Sequence, residues 1–122
     1  MVIDFHAIAQ IESNNGRNMA AYSLNRDDVG LYQVTHVVLE EYNQYHTLGY
    51  TKADLLDNNI NAIVAQWYME VRIPRLLRHF GLRVTVDNCL ICWNGGIRAA
   101  IHHHLSSITK RYLTKYHRIE NG

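Results

Sequence analysis

Glu12 is the side chain whose placement most favours proton-transfer chemistry. Phe5, Ile8 and Ala9 hold the i, i+3 and i+4 positions of an amphipathic helix, and Glu12 takes i+7 on the same face. A carboxyl on the side that a helix buries loses water, and that disfavours its charged form. Such a group keeps its proton towards neutral pH, as a general acid must. Asn14, Asn15 and Gly16 follow and should end the helix. Glu12 is thus expected in the last turn, at the rim of whatever the next loop borders. The stripe alone also allows a carboxylate that swings into water at a frayed end.

Three other groups invite a chemical reading. Cys89 and Cys92 form a C-x-x-C pair, which can signal redox chemistry or half a zinc site. No second pair and no strand-rich context accompanies it, so two small buried thiols on a helix are expected. His102, His103 and His104 are consecutive. Helical neighbours fan out by ~100° each, so these rings do not share one ion. No metal site is expected. Asp27 and Asp28 lie in a polar loop and are candidates for a base that activates water.

Five short segments then fall in order: Glu12-Ser13, Gly30-Leu31-Tyr32-Gln33, Asn59-Ile60, Trp93-Asn94-Gly95-Gly96 and Thr109-Lys110-Arg111-Tyr112. Together they resemble the catalytic domain of the soluble lytic transglycosylases, in the lysozyme-like superfamily that also holds goose-type lysozymes. That family's pattern runs E-S, G-L-M-Q, N-I, A-Y-N-A/G-G and T-x-x-Y. The likeness spans residues 5–115. It departs at Tyr32, where the family has Met, and at Cys92-Trp93, where it has Ala-Tyr. Both sites keep a large, mostly apolar side chain, but Trp93 lacks the tyrosine hydroxyl.

The resemblance implies peptidoglycan glycan strands as substrate, cut between N-acetylmuramic acid and N-acetylglucosamine. Glu12 would protonate the glycosidic oxygen and then take the proton of the C6 hydroxyl, closing a 1,6-anhydro ring. No water and no cofactor is needed. Ser13, Gln33 and Asn94 carry polar groups suited to sugar hydroxyls and acetamido groups. Tyr112 offers a phenol to Glu12 or to the substrate, Trp93 a face for a pyranose ring, and Tyr32 a hydroxyl near the acid. Read as residues alone, Gln33 and Asn94 also suit backbone capping beside their glycines, and Trp93 and Tyr32 suit a core.

A hydrolytic lysozyme is the close rival. An inverting hydrolase adds a second carboxylate that activates water. Goose-type lysozymes place an acid two positions after the Gln, and Thr35 stands there in this chain. A non-catalytic peptidoglycan-binding module is a further alternative, but a pure binder gains nothing from a half-buried acid.

These residues need helices to position them. The chain has one proline and little strand alternation, so an all-α fold is predicted. The expectation is one lysozyme-like domain over 1–122, with six to eight helices around a central buried helix. Helices are predicted over 3–13, 36–46 after Thr35, a short one after Thr51, and a long one capped by Asn58 or Asn59. Ile60, Ile63, Val64, Trp67 and Val71 form the long helix's apolar line. Pro74 should kink or split it and Gly81 end it. Further helices are predicted from Val86 or Asp87 to Gly95-Gly96, over 97–104, and from Ser106 or Ser107 to about Ile119.

Charge is unevenly spread. Residues 1–70 carry three basic and nine acidic side chains, and residues 71–122 nine basic and two acidic. A basic half can attract polyanions or complement the acidic half. No nucleic-acid function is read from it. No apolar run approaches the ~18 residues of a membrane span, and the N-terminus shows no signal-peptide pattern. An enzyme acting on the bacterial wall would then fit a bacteriophage protein or one delivered by a secretion or conjugation apparatus.

Overall fold

Thr35, Asp57, Thr85 and Ser106 each stand one residue before a helix, and three of them cap it with a side-chain oxygen. The computed structural model describes all residues, Met1–Gly122, and is all-α, with 66% of the chain helical and no strands. The helices are α1 (Phe5–Ser13), α2 (His36–His46), α3 (Asn58–Trp67), α4 (Ile73–His79), α5 (Val86–Gly95), α6 (Ile97–His102) and α7 (Ser107–Asn121). Short 3-10 turns lie at Met19–Tyr22 and Ala53–Leu56. No helix is long and apolar enough to cross a membrane.

The chain divides into two compact units. One is Ile8–Tyr68, and the other is Met69–Gly122 together with Met1–Ala7. The first division falls inside α1 and the second inside a π-turn, Tyr68–Arg72, between α3 and α4. Pro74 accounts for that turn. It has no N–H for the carbonyl of Glu70, and its ring crowds that carbonyl. The wider turn just before it absorbs the misfit, and Pro74 itself sits at the start of α4, where a missing N–H costs nothing.

The inward line of this helical run differs from the predicted one. Asn61, Val64, Ala65, Met69, Ile73 and Leu77 are at most 1% exposed, whereas Ile63 is 50% exposed. The buried line therefore runs one position past Ile60 and Ile63, and a polar residue, Asn61, occupies its first place. The cap also differs: Asp57, not Asn58 or Asn59, accepts from the N–H groups of Asn59 (2.8 Å) and Ile60 (3.1 Å). In the Ile8–Tyr68 unit α2 packs on α3 through rings. Tyr42 stacks on His46 at 4.1 Å and meets Trp67 edge-on at 5.4 Å between centroids.

In the other unit α7 is tied at several points. The buried Tyr116 hydroxyl accepts from the Asp4 N–H (2.8 Å) and donates to Glu120 Oε2 (3.1 Å). His117 bridges Asp87 of α5 (2.6 Å) and Glu120 (3.3 Å). The Asp87 hydrogen bond raises the His117 pKa, partial burial opposes this, and Glu120 adds to the rise. A raised folded pKa means the stabilisation is complete below the unfolded value of about 6.5 and is lost as pH climbs through the folded value. The side chains are about half exposed, so screening limits the effect to ~0.5 kcal/mol. Thermal melts on both sides of neutrality should show wild type losing more stability on alkalinisation than His117→Gln. Equal losses contradict the assignment.

Cys89 and Cys92 are free and buried on one face of α5, and burial pushes both thiols up to about 11. A disulfide-exchange reagent should react with neither in the native protein and with both after unfolding. Rapid native labelling would contradict their burial. The run of histidines is exposed throughout. α6 ends at His102, two residues earlier than predicted, because His103 turns left-handed at φ +52°.

Candidate active site

Glu12 lies half-buried in the last turn of α1, one turn after the buried Ile8 and Ala9. The helix stops there because Asn14, Asn15 and Gly16 are all left-handed, with φ of 53°, 55° and 81°. Ser13, next to Glu12, fixes that end to a distant loop. Its hydroxyl donates to the Leu31 carbonyl (2.7 Å), approaches the Ala9 carbonyl (3.3 Å), and accepts from the Gly16 N–H (2.9 Å). Ser13 is 1% exposed. Its hydroxyl braces main chain on both sides of the helix end.

The loop it grips is closed at both ends. Val29 and Val34 exchange two main-chain hydrogen bonds of 3.0 Å, and within them the Gln33 N–H bonds the Gly30 carbonyl at 3.1 Å. Gly30 and Gln33 are both left-handed, at φ +84° and +54°. The Gln33 amide then donates to the carbonyls of Ala21 (2.9 Å) and Gly30 (3.0 Å). The Gln33 amide nitrogen therefore caps backbone, the plainer of the two roles its position beside a glycine allows. Tyr32 is buried at 6% exposure.

Asn61 of α3 holds the same loop from the other side. Its carbonyl oxygen accepts from the Tyr32 N–H (2.9 Å), and its amide donates to the carbonyls of Val29 (2.8 Å) and Leu55 (3.0 Å). The residue is fully buried and fully bonded. Gly30 must lack a side chain, since a Cβ there would meet the Asn61 amide and stand 2.5 Å from the Leu55 carbonyl. Sequence reasoning stops two residues short, at Asn59-Ile60, whose asparagine is exposed. The available signal was an asparagine three and four positions before Val64 and Ala65, on a line that is otherwise apolar.

In the unit that contains α5 and α7, two more of the five segments meet. The Ser106 hydroxyl caps α7 through the Thr109 N–H (3.1 Å) and donates to Thr109 Oγ1 (3.2 Å). Thr109 in turn donates to the Asn94 carbonyl oxygen at 2.8 Å. Gly95 admits this approach: a Cβ there would lie 3.0 Å from Thr109 Oγ1. Asn94 and Trp93 are part-exposed, whereas Tyr112 is buried at 6%. The Thr109 bond leaves the Asn94 amide nitrogen for a further partner.

The two candidate bases are engaged at the surface. Asp27 accepts from both the N–H (3.2 Å) and Nδ1 (2.7 Å) of His36, so it caps α2 from outside the helix, where Thr35 makes no side-chain cap bond. The His36 hydrogen bonds lower the Asp27 pKa, and Asp27 raises that of His36. Asp28 pairs with Arg26 at 3.2 Å. No group of three or more His, Cys, Asp or Glu side chains is arranged to hold a metal ion. No protein-family model, no curated protein and no solved structure matches the chain.

Proposed function

We propose that the chain is a peptidoglycan lytic transglycosylase, with Glu12 as general acid and then general base. The observation that supports this reading is that, within each compact unit, segments of the ordered pattern are bonded to one another. Glu12-Ser13 is bonded to Gly30–Gln33 through Ser13 and Leu31, and that loop to the head of α3 through Asn61. Residues 93–96 are bonded to 109–112 through Asn94 and Thr109. Within each unit, segments far apart in sequence are thus fixed to one another by buried or half-buried polar contacts, which hold their side chains in place.

The chemistry needs one proton carrier. Glu12 gives its proton to the glycosidic oxygen as the bond to C1 of N-acetylmuramic acid breaks. Positive charge gathers on the ring oxygen and C1. The N-acetyl oxygen of the same sugar supports C1, as in substrate-assisted glycosidases. Glu12, now ionised, removes the proton of the C6 hydroxyl, whose oxygen bonds C1. The proton balance closes without water. Trp93 and Asn94 are the sugar-facing candidates, with the Tyr112 and Tyr32 hydroxyls assigned by resemblance. Ser13 and Gln33 act on the site through the main chain they hold.

A water-activating carboxylate is the feature that separates the hydrolytic rival. Asp27 is hydrogen-bonded to His36 and Asp28 is paired with Arg26 at the surface, and this favours the transglycosylase. Incubation with purified, insoluble peptidoglycan tests the reading. Soluble muropeptides are expected. A wall that binds the protein and stays intact would instead identify a binding module.

A further inference from the structure

We propose that the outward face of α7 is a docking stripe for a phosphodiester-bearing polymer of the cell wall. Arg111, Lys115 and Arg118 stand at i, i+4 and i+7, so they share one side of the helix over ~10 Å. All three are exposed, while Thr109, Tyr112 and Tyr116 form the buried side. None of the three takes part in an ion pair of the protein. The one acid of α7, Glu120, is turned to Tyr116 and His117.

The helix dipole favours Arg118 in the last turn of α7 but not the cations nearer its start. Lys110 and Arg111 lie in the N-terminal half of α7, where the helix dipole offers a cation no help, and the first turn has no acid. The unit that holds α7 carries nine basic and four acidic side chains, so the stripe is not neutralised by its own surroundings. A linear row of cations without a pocket suits a chain of repeated anions better than a single phosphate ion. The tyrosine rings of α7 are buried and the His117 ring is held by Asp87 and Glu120, so the stripe has no free platform for stacking bases. Among the large apolar side chains of α7 only Ile108 is strongly exposed, and one such side chain is not the apolar face by which an amphipathic helix enters a lipid surface. The choice of a wall polymer rests on the proposed wall-cleaving activity; the anionic chemistry does not.

Co-sedimentation with insoluble walls that carry poly(glycerol phosphate) tests the stripe, against the same walls stripped of phosphodiesters by hydrofluoric acid. Wild type should bind the phosphate-bearing walls at least tenfold more tightly. Its affinity there should fall about 15- to 20-fold as salt rises from about 50 to about 200 mM, a log–log slope near two for three neutralised phosphates. The triple variant Arg111→Gln, Lys115→Gln, Arg118→Gln should lose both the preference and the slope, while Arg111→Lys with Arg118→Lys keeps them. Lysis of stripped walls should be the same for wild type and triple variant. Equal binding of wild type to both walls, or an unchanged slope in the triple variant, overturns the proposal. Tighter, stripe-dependent retention on duplex DNA or on phosphatidylglycerol vesicles also overturns it. If neither protein lyses stripped walls, the catalytic reading fails while the binding comparison still decides the stripe.

Discussion

Glu12→Gln should abolish release of soluble muropeptides, with a loss of at least about a thousandfold, the scale expected of a removed general acid–base group. The amide is the same size but neither gives nor takes the proton. Retention on insoluble wall should change little, because the substitution leaves the polar frame around the residue intact. Ser13 still holds the Leu31 carbonyl, and Asn61 still holds Tyr32. Wall lysis by Glu12→Gln at the wild-type rate would remove Glu12 from the mechanism. A variant that neither binds nor lyses, yet melts like wild type, would mark Glu12 as a binding group instead.

Asn61→Ala should be the most destabilising single truncation in the Ile8–Tyr68 unit. It strands the Tyr32 N–H and the carbonyls of Val29 and Leu55 in a fully buried place. At ~1–3 kcal/mol for each unpaired group, the total is about 4 kcal/mol, near the whole margin of a small domain. Chemical denaturation should show a large fall in the midpoint. Asn61→Asp keeps the acceptor for Tyr32 but loses both donations and adds charge, so it should fare no better. Gly30→Ala attacks the same place from the loop, through a left-handed φ and a clash with the Leu55 carbonyl. A midpoint within experimental error of wild type for Asn61→Ala would show that the loop is held by something else.

Much of the helical frame is legible in the residues because its signals are local. Ser106 before Ser107, Pro74 at a helix start and Gly81 at φ +70° act within a few residues of themselves. Glu12 in the last turn of α1 is legible for the same reason. The roles of Ser13 and Gln33 are not. Each was a polar residue beside a glycine-containing turn, equally fit for a ligand or for main chain. The choice fell to carbonyls of Leu31 and Ala21 that come near only in the fold. Asn61 escaped because a polar residue on an apolar line reads as an interruption, when it was the bond on which three main-chain groups depend. The capping of α2 by Asp27 rests likewise on a contact nine residues apart in sequence.

The same distinction bears on pH. Asp27 and His36 pair at the surface, and each shifts the other towards its charged form. Such an exposed pair ties a loop end to the start of α2.

One acid that both donates and recovers a proton leaves its signature in the product. Mass spectrometry of the muropeptides released from purified peptidoglycan reads it directly. Anhydro-muramyl ends, one water lighter than reducing ends, are the predicted result. Reducing ends alone, with oxygen taken up from isotopically labelled water, would contradict it and point to a hydrolase.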